Sequence, residues 1–268
     1  MIIGLVAACG GQPSSSQGPP AQAAALATPC ALRRFEGSSF TVCPYDASRD
    51  ELRLAWKDRN ALALRGFDAL GRALGADARR VRFAMNAGMF DEQGAPIGLY
   101  VERGKQLKPL NLRAGPGNFH MQPNGVFAVD RRGRVSVRPS ALFKAEAGNA
   151  YWATQSGPML LIDGKPHPLF DQDGESRLVR NGVGVKNPRT AYFVISEDGV
   201  SFGRFARLFR DALGCRNALF LDGSVSSLWE PANERKDPST RLGPLVVVLS
   251  RSSAAVQARA ATVPRDRR

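Results

Sequence analysis

The sequence predicts an α+β fold, in the form of a single domain of mainly antiparallel sheet packed by a few helices. Short apolar or alternating stretches recur between residues 40 and 249, and turn residues separate them. Hairpin signals join several of these stretches. Only one long segment, residues 201–213, has the three-and-four spacing of a buried helix face. Of the 268 residues, 43% are hydrophobic, which is typical of a globular protein.

In the first half of the domain, apolar alternation predicts strands around one helix. The helix covers residues 66–74 and ends at Gly75, because glycine readily takes the backbone conformation that follows a helix. Residues 131–133 form the turn of a hairpin. The predicted strands of this half are residues 40–43, 52–56, 81–86, 96–102, 125–130 and 134–138.

In the second half, polar corners alternate with buried strands. Ser140 is expected to cap a short helix through residue 147, and Ser201 begins the long amphipathic helix. Residues 154–157 form a polar corner directly before a buried strand. The predicted strands of this half are residues 159–162, 180–185, 190–196, 218–221 and 245–249.

The segment after the strand at residues 218–221 is the main candidate for a functional site. That strand ends on Asp222, and Gly223 then opens a loop of small hydroxyl residues whose backbone N–H groups are open to a ligand oxygen. Asn86 stands at a strand end in the same way. Because Asp-Gly is also a common turn dipeptide, a simple turn is the alternative interpretation.

The cysteines and histidines suggest one disulfide and no metal site. Cys30 and Cys43 bracket a short segment that a disulfide would close, with a contribution of about 3 kcal/mol to stability. Cys215 lies between a helix end and a buried strand, which suits a small buried hydrophobic residue. The two histidines, His120 and His167, are far apart and lack the spacing of metal ligands, so no metal and no cofactor is predicted.

The first residues resemble a bacterial lipoprotein signal. Residues 1–9 combine a short apolar run with small residues before Cys9, which would carry the lipid, although a chance apolar start is the alternative. Residues 10–29 have the composition of a flexible linker, residues 30–250 form the folded domain, and residues 251–268 form a basic, disordered tail. This organisation predicts a periplasmic protein of the cell envelope, held at the membrane through Cys9.

The chain is strongly basic, with a formal net charge of +13. Such a charge predicts attraction to polyanions, including acidic polysaccharides and phosphorylated substrates. The arginines are spread along the chain, and neither zinc-finger spacing nor an RNP-type motif is present. A nucleic-acid partner is therefore not predicted.

Four motifs, in this order, resemble those of the phosphodiester glycosidase family. They are residues 86–90 (Asn-Ala-Gly-Met-Phe), 156–160 (Ser-Gly-Pro-Met-Leu), 180–184 (Arg-Asn-Gly-Val-Gly) and 221–224 (Leu-Asp-Gly-Ser). The resemblance covers about residues 85–249. It departs from the family pattern after Asn86 and after Asp222, where the family often has further glycines. Both departures keep the Asn and the Asp.

The resemblance implies an enzyme that cleaves an N-acetylhexosamine-like sugar from a sugar-1-phosphodiester or an envelope glycan. Asp222, as nucleophile or general base, and Arg180, on the phosphate, are the expected catalytic residues. Glu102 is the weakest candidate for a second carboxylate, and an ion pair between Arg180 and Asp222 is a purely structural alternative. A non-catalytic glycan-binding lipoprotein and an accessory protein of exopolysaccharide assembly are the alternative functions. The expected substrate-binding residues are Asn86, Gly88, Gln155, Ser156, Gly157, Asn181, Gly223 and Ser224.

Overall fold

The computed structural model describes residues 29–143, 147–238 and 241–251, together with residue 1. The predicted signal segment with Cys9, the linker and the basic tail lie outside the described residues, apart from residues 1, 29 and 251. None of the helices in these ranges is long and apolar enough to cross a lipid bilayer.

The described part of the chain consists mainly of short strands. In chain order the elements are β1 Ala31–Phe35, β2 Ser38–Asp46, β3 Asp50–Ala55, α1 Phe67–Leu74, β4 Val81–Asn86, β5 Tyr100–Glu102, β6 Lys105–Lys108, β7 Gly125–Val129, β8 Val135–Pro139, α2 Ser140–Phe143, β9 Trp152–Ser156, β10 Met159–Ile162, β11 Lys165–Pro166, β12 Asn181–Asn187, β13 Thr190–Ser196, α3 Phe202–Arg207, β14 Asn217–Phe220, β15 Leu228–Glu230, β16 Arg235–Lys236 and β17 Leu245–Ser250. A π-helical turn, Leu208–Ala212, continues α3.

The strands form three antiparallel sheets. The first has the order β1-β2-β13-β12-β14-β10-β11, the second β16-β15-β4-β17-β3, and the third β6-β5-β9-β7-β8. Every pair of neighbouring strands in these sheets is antiparallel. The predicted α+β fold with a mainly antiparallel sheet system is confirmed.

All three sheets contribute to one hydrophobic core. Phe193 of the first sheet lies 5.6 Å from Phe83 of the second and 5.5 Å from Phe127 of the third, measured between ring centroids. All three rings are buried. Because aromatic rings at this separation attract each other and exclude water, the three sheets form a single packed unit.

Two helices cover the outer faces of the sheets. Ser201 caps α3, since its side chain accepts a hydrogen bond from the Arg204 N–H, and Phe205 of this helix stacks on Phe40 with the ring centroids 6.2 Å apart. Helix α1 buries Phe67 and Leu70 against the second sheet. It ends at Gly75, whose φ of 57° suits a glycine.

The structure differs from the predicted elements mainly in short edge segments. Strands β1, β6, β11, β15 and β16 were not predicted, because β11 and β16 have two residues each, β15 has three, and β1 and β6 expose most of their side chains. The predicted corner at residues 154–157 instead begins inside β9, which ends at Ser156.

The cysteines occupy two different environments. A disulfide joins Cys30 and Cys43, and the Cys30 N–H also donates to the buried Glu230 carboxylate. Cys215 is buried and unbridged, and burial raises the pKa of its thiol to about 12. At this pKa the thiol is neutral near pH 7, so Cys215 packs as a small apolar residue.

Candidate functional site

Asp222 lies two residues beyond the end of a buried strand. Strand β14 ends at Phe220, and after Asp222 the chain turns through a short 3₁₀ segment, Gly223–Val225. Asp222 is only 9% exposed, and its Oδ1 accepts a hydrogen bond from the Ser224 N–H. Burial raises the pKa of the Asp222 carboxyl to about 6, because an ionised carboxylate loses hydration there.

Three buried side chains hold the backbone around Asp222. The Asn86 side chain donates to the Asp222 carbonyl at 2.8 Å, and the Asp222 N–H donates to Asn181 Oδ1 at 3.0 Å. Ser156 donates its hydroxyl hydrogen to the Leu221 carbonyl. Asn181 also donates to Asn86 Oδ1 at 2.9 Å, so strands from all three sheets meet in one network.

The side chains of these three residues are buried and support the backbone of the Asp222 loop. Asn86, Asn181 and Ser156 are at most 1% exposed, and Asn86 Oδ1 accepts a second hydrogen bond, from the Ser227 N–H. The sequence analysis placed all three in contact with substrate. The structure instead directs their side chains into the protein, because each satisfies buried backbone groups that would otherwise have no partner.

Replacing Asn86 with Ala is expected to destabilise the protein by about 2–6 kcal/mol. The change leaves the Asp222 carbonyl and the Ser227 N–H without the Asn86 partner, and each buried polar group left unpaired costs about 1–3 kcal/mol. Urea denaturation gives the free energy of unfolding. Asn60→Ala, in an exposed loop, is the control and should change stability by less than about 0.5 kcal/mol. An Asn86→Ala protein as stable as that control would contradict the structural role.

Arg180 is a buried cation held by neutral groups. It is 1% exposed; its Nε donates to the Val200 carbonyl at 2.7 Å and its Nη2 to the Ser176 carbonyl at 3.0 Å. The guanidinium lies 3.7 Å from the ring centroid of Phe202. No carboxylate among the described residues forms a salt bridge with it, and burial lowers its pKa to about 10.

The aromatic ring of Phe220 connects Arg180 with the Asp222 loop. The Arg180 guanidinium lies 5.7 Å from the Phe220 ring centroid. A Cβ on Gly223 would come within 2.7 Å of the same ring, so a larger residue at position 223 would clash with it. The salt bridge between Arg180 and Asp222 that was the structural alternative does not form within the described chain. The Phe220 ring instead packs beside both the guanidinium and Gly223 of the loop.

The remaining predicted site residues have different positions. Gln155 is 2% exposed, and its side chain bonds to the backbone of Leu99 and Asn111 and to the Ser140 hydroxyl, so it has no free group for a substrate. A Cβ on Gly88 would lie 2.3 Å from the Gln155 carbonyl oxygen, and one on Gly157 would lie 2.7 Å from the Asn124 side chain. These glycines permit close packing of the chain.

Ser224 is the predicted substrate-binding residue whose side chain the structure leaves exposed beside Asp222. Glu102, the weakest candidate, accepts hydrogen bonds from the Tyr100 hydroxyl and the Trp56 N–H. Among the described residues no group of three or more His, Cys, Asp and Glu side chains is arranged to hold a metal ion.

Sequence reasoning missed the aromatic support of Arg180. Phe202 lies in the segment 201–213, which was predicted as one amphipathic helix, and its ring packs against Phe170 with the centroids 4.8 Å apart and the planes 7° apart. It also meets Phe220 edge-on at 4.9 Å. The signal in the sequence was the position of Phe202 directly after the helix cap Ser201.

Comparisons with known proteins agree with this architecture. Residues 79–246 match the family model described as phosphodiester glycosidase. The Uncharacterized protein YigE of Escherichia coli (strain K12) is 34% identical over 208 residues, which are 77% of this chain and 80% of YigE.

Solved structures share the fold at low sequence identity. The catalytic domain of zebrafish N-acetylglucosamine-1-phosphodiester alpha-N-acetylglucosaminidase has a TM-score of 0.56 at 13% identity, covering 83% of this chain and 82% of that one. A hypothetical protein from Synechocystis has a TM-score of 0.54 at 17% identity, and the match covers 83% of this chain but 61% of that one. A putative exported protein from Burkholderia pseudomallei has a TM-score of 0.52 at 14% identity, covering 79% and 74%.

Proposed function

The chain belongs to the phosphodiester glycosidase family, and we propose that it is a hydrolase that removes an N-acetylhexosamine-like sugar from a sugar-1-phosphodiester. Family membership supports phosphodiester glycosidase activity in general. The choice of sugar follows the name of the zebrafish structural neighbour, which acts on an N-acetylglucosamine-1-phosphodiester.

The observation that carries this proposal is the buried guanidinium of Arg180, which has no carboxylate partner among the residues that the structure describes. A desolvated charge costs several kcal/mol unless an opposite charge or strong hydrogen bonds compensate it. The carbonyls of Val200 and Ser176 and the face of the Phe202 ring compensate it in part. A phosphodiester carries one negative charge and accepts hydrogen bonds from a planar guanidinium fork, so it would supply the missing partner.

The chemistry assigned to Asp222 follows from the reaction. Hydrolysis breaks the bond between the anomeric carbon and the phosphate oxygen, and the electron pair of that bond leaves with the phosphate. Water supplies the hydroxyl group of the sugar product. A carboxylate at Asp222 would stabilise the positive charge that develops on the sugar, either as nucleophile or as the base that activates water. Arg180 would stabilise the departing phosphate, and the Ser224 hydroxyl would bind a sugar hydroxyl or a phosphate oxygen.

The direct test is release of reducing sugar from the methyl phosphodiester of N-acetylglucosamine 1-phosphate by the purified protein. Release at a rate that scales with protein concentration is expected. A parallel pull-down on insoluble glycan separates catalysis from binding. Binding to glycan without release of sugar, at any substrate concentration, would favour the non-catalytic glycan-binding alternative and contradict the hydrolase proposal.

Activity is expected to rise with pH and to reach half its maximum near pH 6. The ionised form of Asp222 is the reactive one, and burial raises its pKa to about 6. The phosphodiester is already ionised at this pH, so kcat/KM should follow Asp222 and fall about tenfold for each pH unit below about 5. Initial rates between pH 4 and pH 8 measure this profile. A rate that increases toward low pH would contradict a carboxylate role and indicate a protonated acid.

A further inference from the structure

A second polar feature lies beside the proposed catalytic site. It is a cavity of about 570 Å³ between the chain around residues 91–98 and the loop at residues 108–113. Its walls include Ile97, Leu110 and Leu112, and its rim carries Arg113 and His120. A cavity of this size is large enough for a small organic group.

One buried side chain holds both walls of the cavity in place. Gln155 Oε1 accepts a hydrogen bond from the Leu99 N–H on one wall and from the Asn111 N–H on the other, each at 2.9 Å. Its Nε2 donates to the Asn111 carbonyl at 2.6 Å. Gly98 is required between them, because a Cβ there would lie 2.5 Å from Gln155 Oε1. The cavity is therefore formed before any ligand binds.

The cavity adjoins the Asp222 loop through strand β9. Gln155, which holds both walls, directly precedes Ser156, whose hydroxyl donates to the Leu221 carbonyl. A Cβ on Gly88, just before the segment that forms one wall, would lie 2.3 Å from the Gln155 carbonyl oxygen. A substrate whose sugar lies at Asp222 would therefore have the cavity available for the second ester substituent of its phosphate, the aglycone.

The charges around the cavity favour an anion. Lys108 and Arg113 line it, and Asp91 is the one carboxylate among the described lining residues. One Asp91 oxygen already accepts a hydrogen bond from the Ala95 N–H. His120 Nδ1 lies 2.8 Å from the Arg113 carbonyl, which can only accept, so Nδ1 carries a hydrogen and Nε2 remains for another partner. Arg113 is exposed and forms no salt bridge within the described chain.

We propose that this cavity is the aglycone subsite and that it takes an aglycone bearing a second anionic group, with Arg113 as the residue that selects for it. The proposal rests on the proposed phosphodiester glycosidase function. It narrows the substrate class to sugar-1-phosphodiesters whose leaving group carries a further phosphate or carboxylate.

The test compares two substrates with the same sugar. One carries a methyl aglycone and the other a 2-phosphoethyl aglycone, which adds one phosphate monoester. The wild-type protein is expected to have a kcat/KM about fivefold higher for the 2-phosphoethyl substrate, mostly through a lower KM. Arg113→Gln should remove this preference by lowering kcat/KM for the 2-phosphoethyl substrate. The matched control is Arg33→Gln, on the exposed edge strand β1, which should keep the preference.

The outcomes separate this proposal from the proposed function. If the protein cleaves the methyl substrate but shows no preference for the phosphorylated aglycone, the subsite proposal is overturned and the proposed function stands. The same conclusion follows if Arg113→Gln keeps the wild-type preference. If the protein cleaves neither substrate, the hydrolase proposal fails, and binding of 1,2-ethanediol bisphosphate then tests the cavity by calorimetry. Binding that Arg113→Gln weakens and Arg33→Gln does not supports an anion site there, whereas equal binding by all three proteins overturns it.

Discussion

Replacing Asp222 with Asn is expected to lower kcat by at least about a hundredfold, which corresponds to about 3 kcal/mol of activation free energy. The two side chains have nearly the same shape, and Asn keeps an oxygen to accept the hydrogen bond from the Ser224 N–H. The change therefore removes the negative charge while the loop is retained. Initial rates on the methyl phosphodiester at saturating substrate measure the effect.

The control for this variant is Asp163→Asn. Asp163 also follows a buried strand, β10, and precedes a glycine, so it presents the same Asp-Gly sequence away from the Asn86 network. Its replacement should leave kcat within about twofold of the wild-type value. An Asp222→Asn protein that turns over substrate at the wild-type rate would remove Asp222 from the mechanism.

The Asp222→Asn protein should be at least as stable as the wild-type protein at pH 7.5. The folded-state pKa of Asp222, about 6, lies above its ordinary value of 3.8, so the native protein binds this proton more tightly than the unfolded chain. The stability that this proton confers is fully present below about pH 4 and is lost as pH rises through about 6. Because Asn does not ionise, its advantage in unfolding free energy should grow over that interval. Denaturation at pH 4 and pH 7.5 measures it, and a large loss of stability at both would indicate a structural role.

Replacing Arg180 with Lys is expected to lower kcat/KM by about a hundredfold, through both a higher KM and a lower kcat. The guanidinium uses Nε and Nη2 to hold the carbonyls of Val200 and Ser176 while it lies over the Phe202 ring. A single ammonium group cannot keep both of these contacts and also present a planar fork to a phosphate. Steady-state kinetics on the methyl phosphodiester provide both constants.

Arg207→Lys is the matched control for this second variant. Arg207 lies at the end of α3 and forms salt bridges with Glu36 and Asp173, so the same substitution changes a partnered arginine outside the site. It should leave kcat/KM unchanged and lower stability by at most about 1 kcal/mol. Wild-type kcat/KM in Arg180→Lys would show that Arg180 does not contact the phosphate.

The α+β fold and the position of Asp222 at a strand end were predictable because they depend on local signals. Apolar alternation marks strands such as β4 and β17, and Asp-Gly marks the turn after β14. Short edge strands such as β16 were not predictable, since two residues show no periodicity. The hairpin of β7 and β8 was predictable from its turn, whereas the pairing of strands that are distant along the chain, such as β2 with β13 and β4 with β17, leaves no local pattern.

The sequence by itself determined which polar residues stand at strand ends, whereas only the tertiary structure decided what each one does there. Adjacent residues of a strand point to opposite faces, so Arg180 turns to the Phe202 ring while Asn181 turns to Asn86, 95 residues away in the chain. Whether a polar side chain is free for a substrate depends on whether such distant partners already use its hydrogen-bonding groups. Those partners are brought together by the packing of the three sheets, which satisfies Asn86, Asn181 and Gln155 internally and leaves the charge of Arg180 without a carboxylate among the described residues.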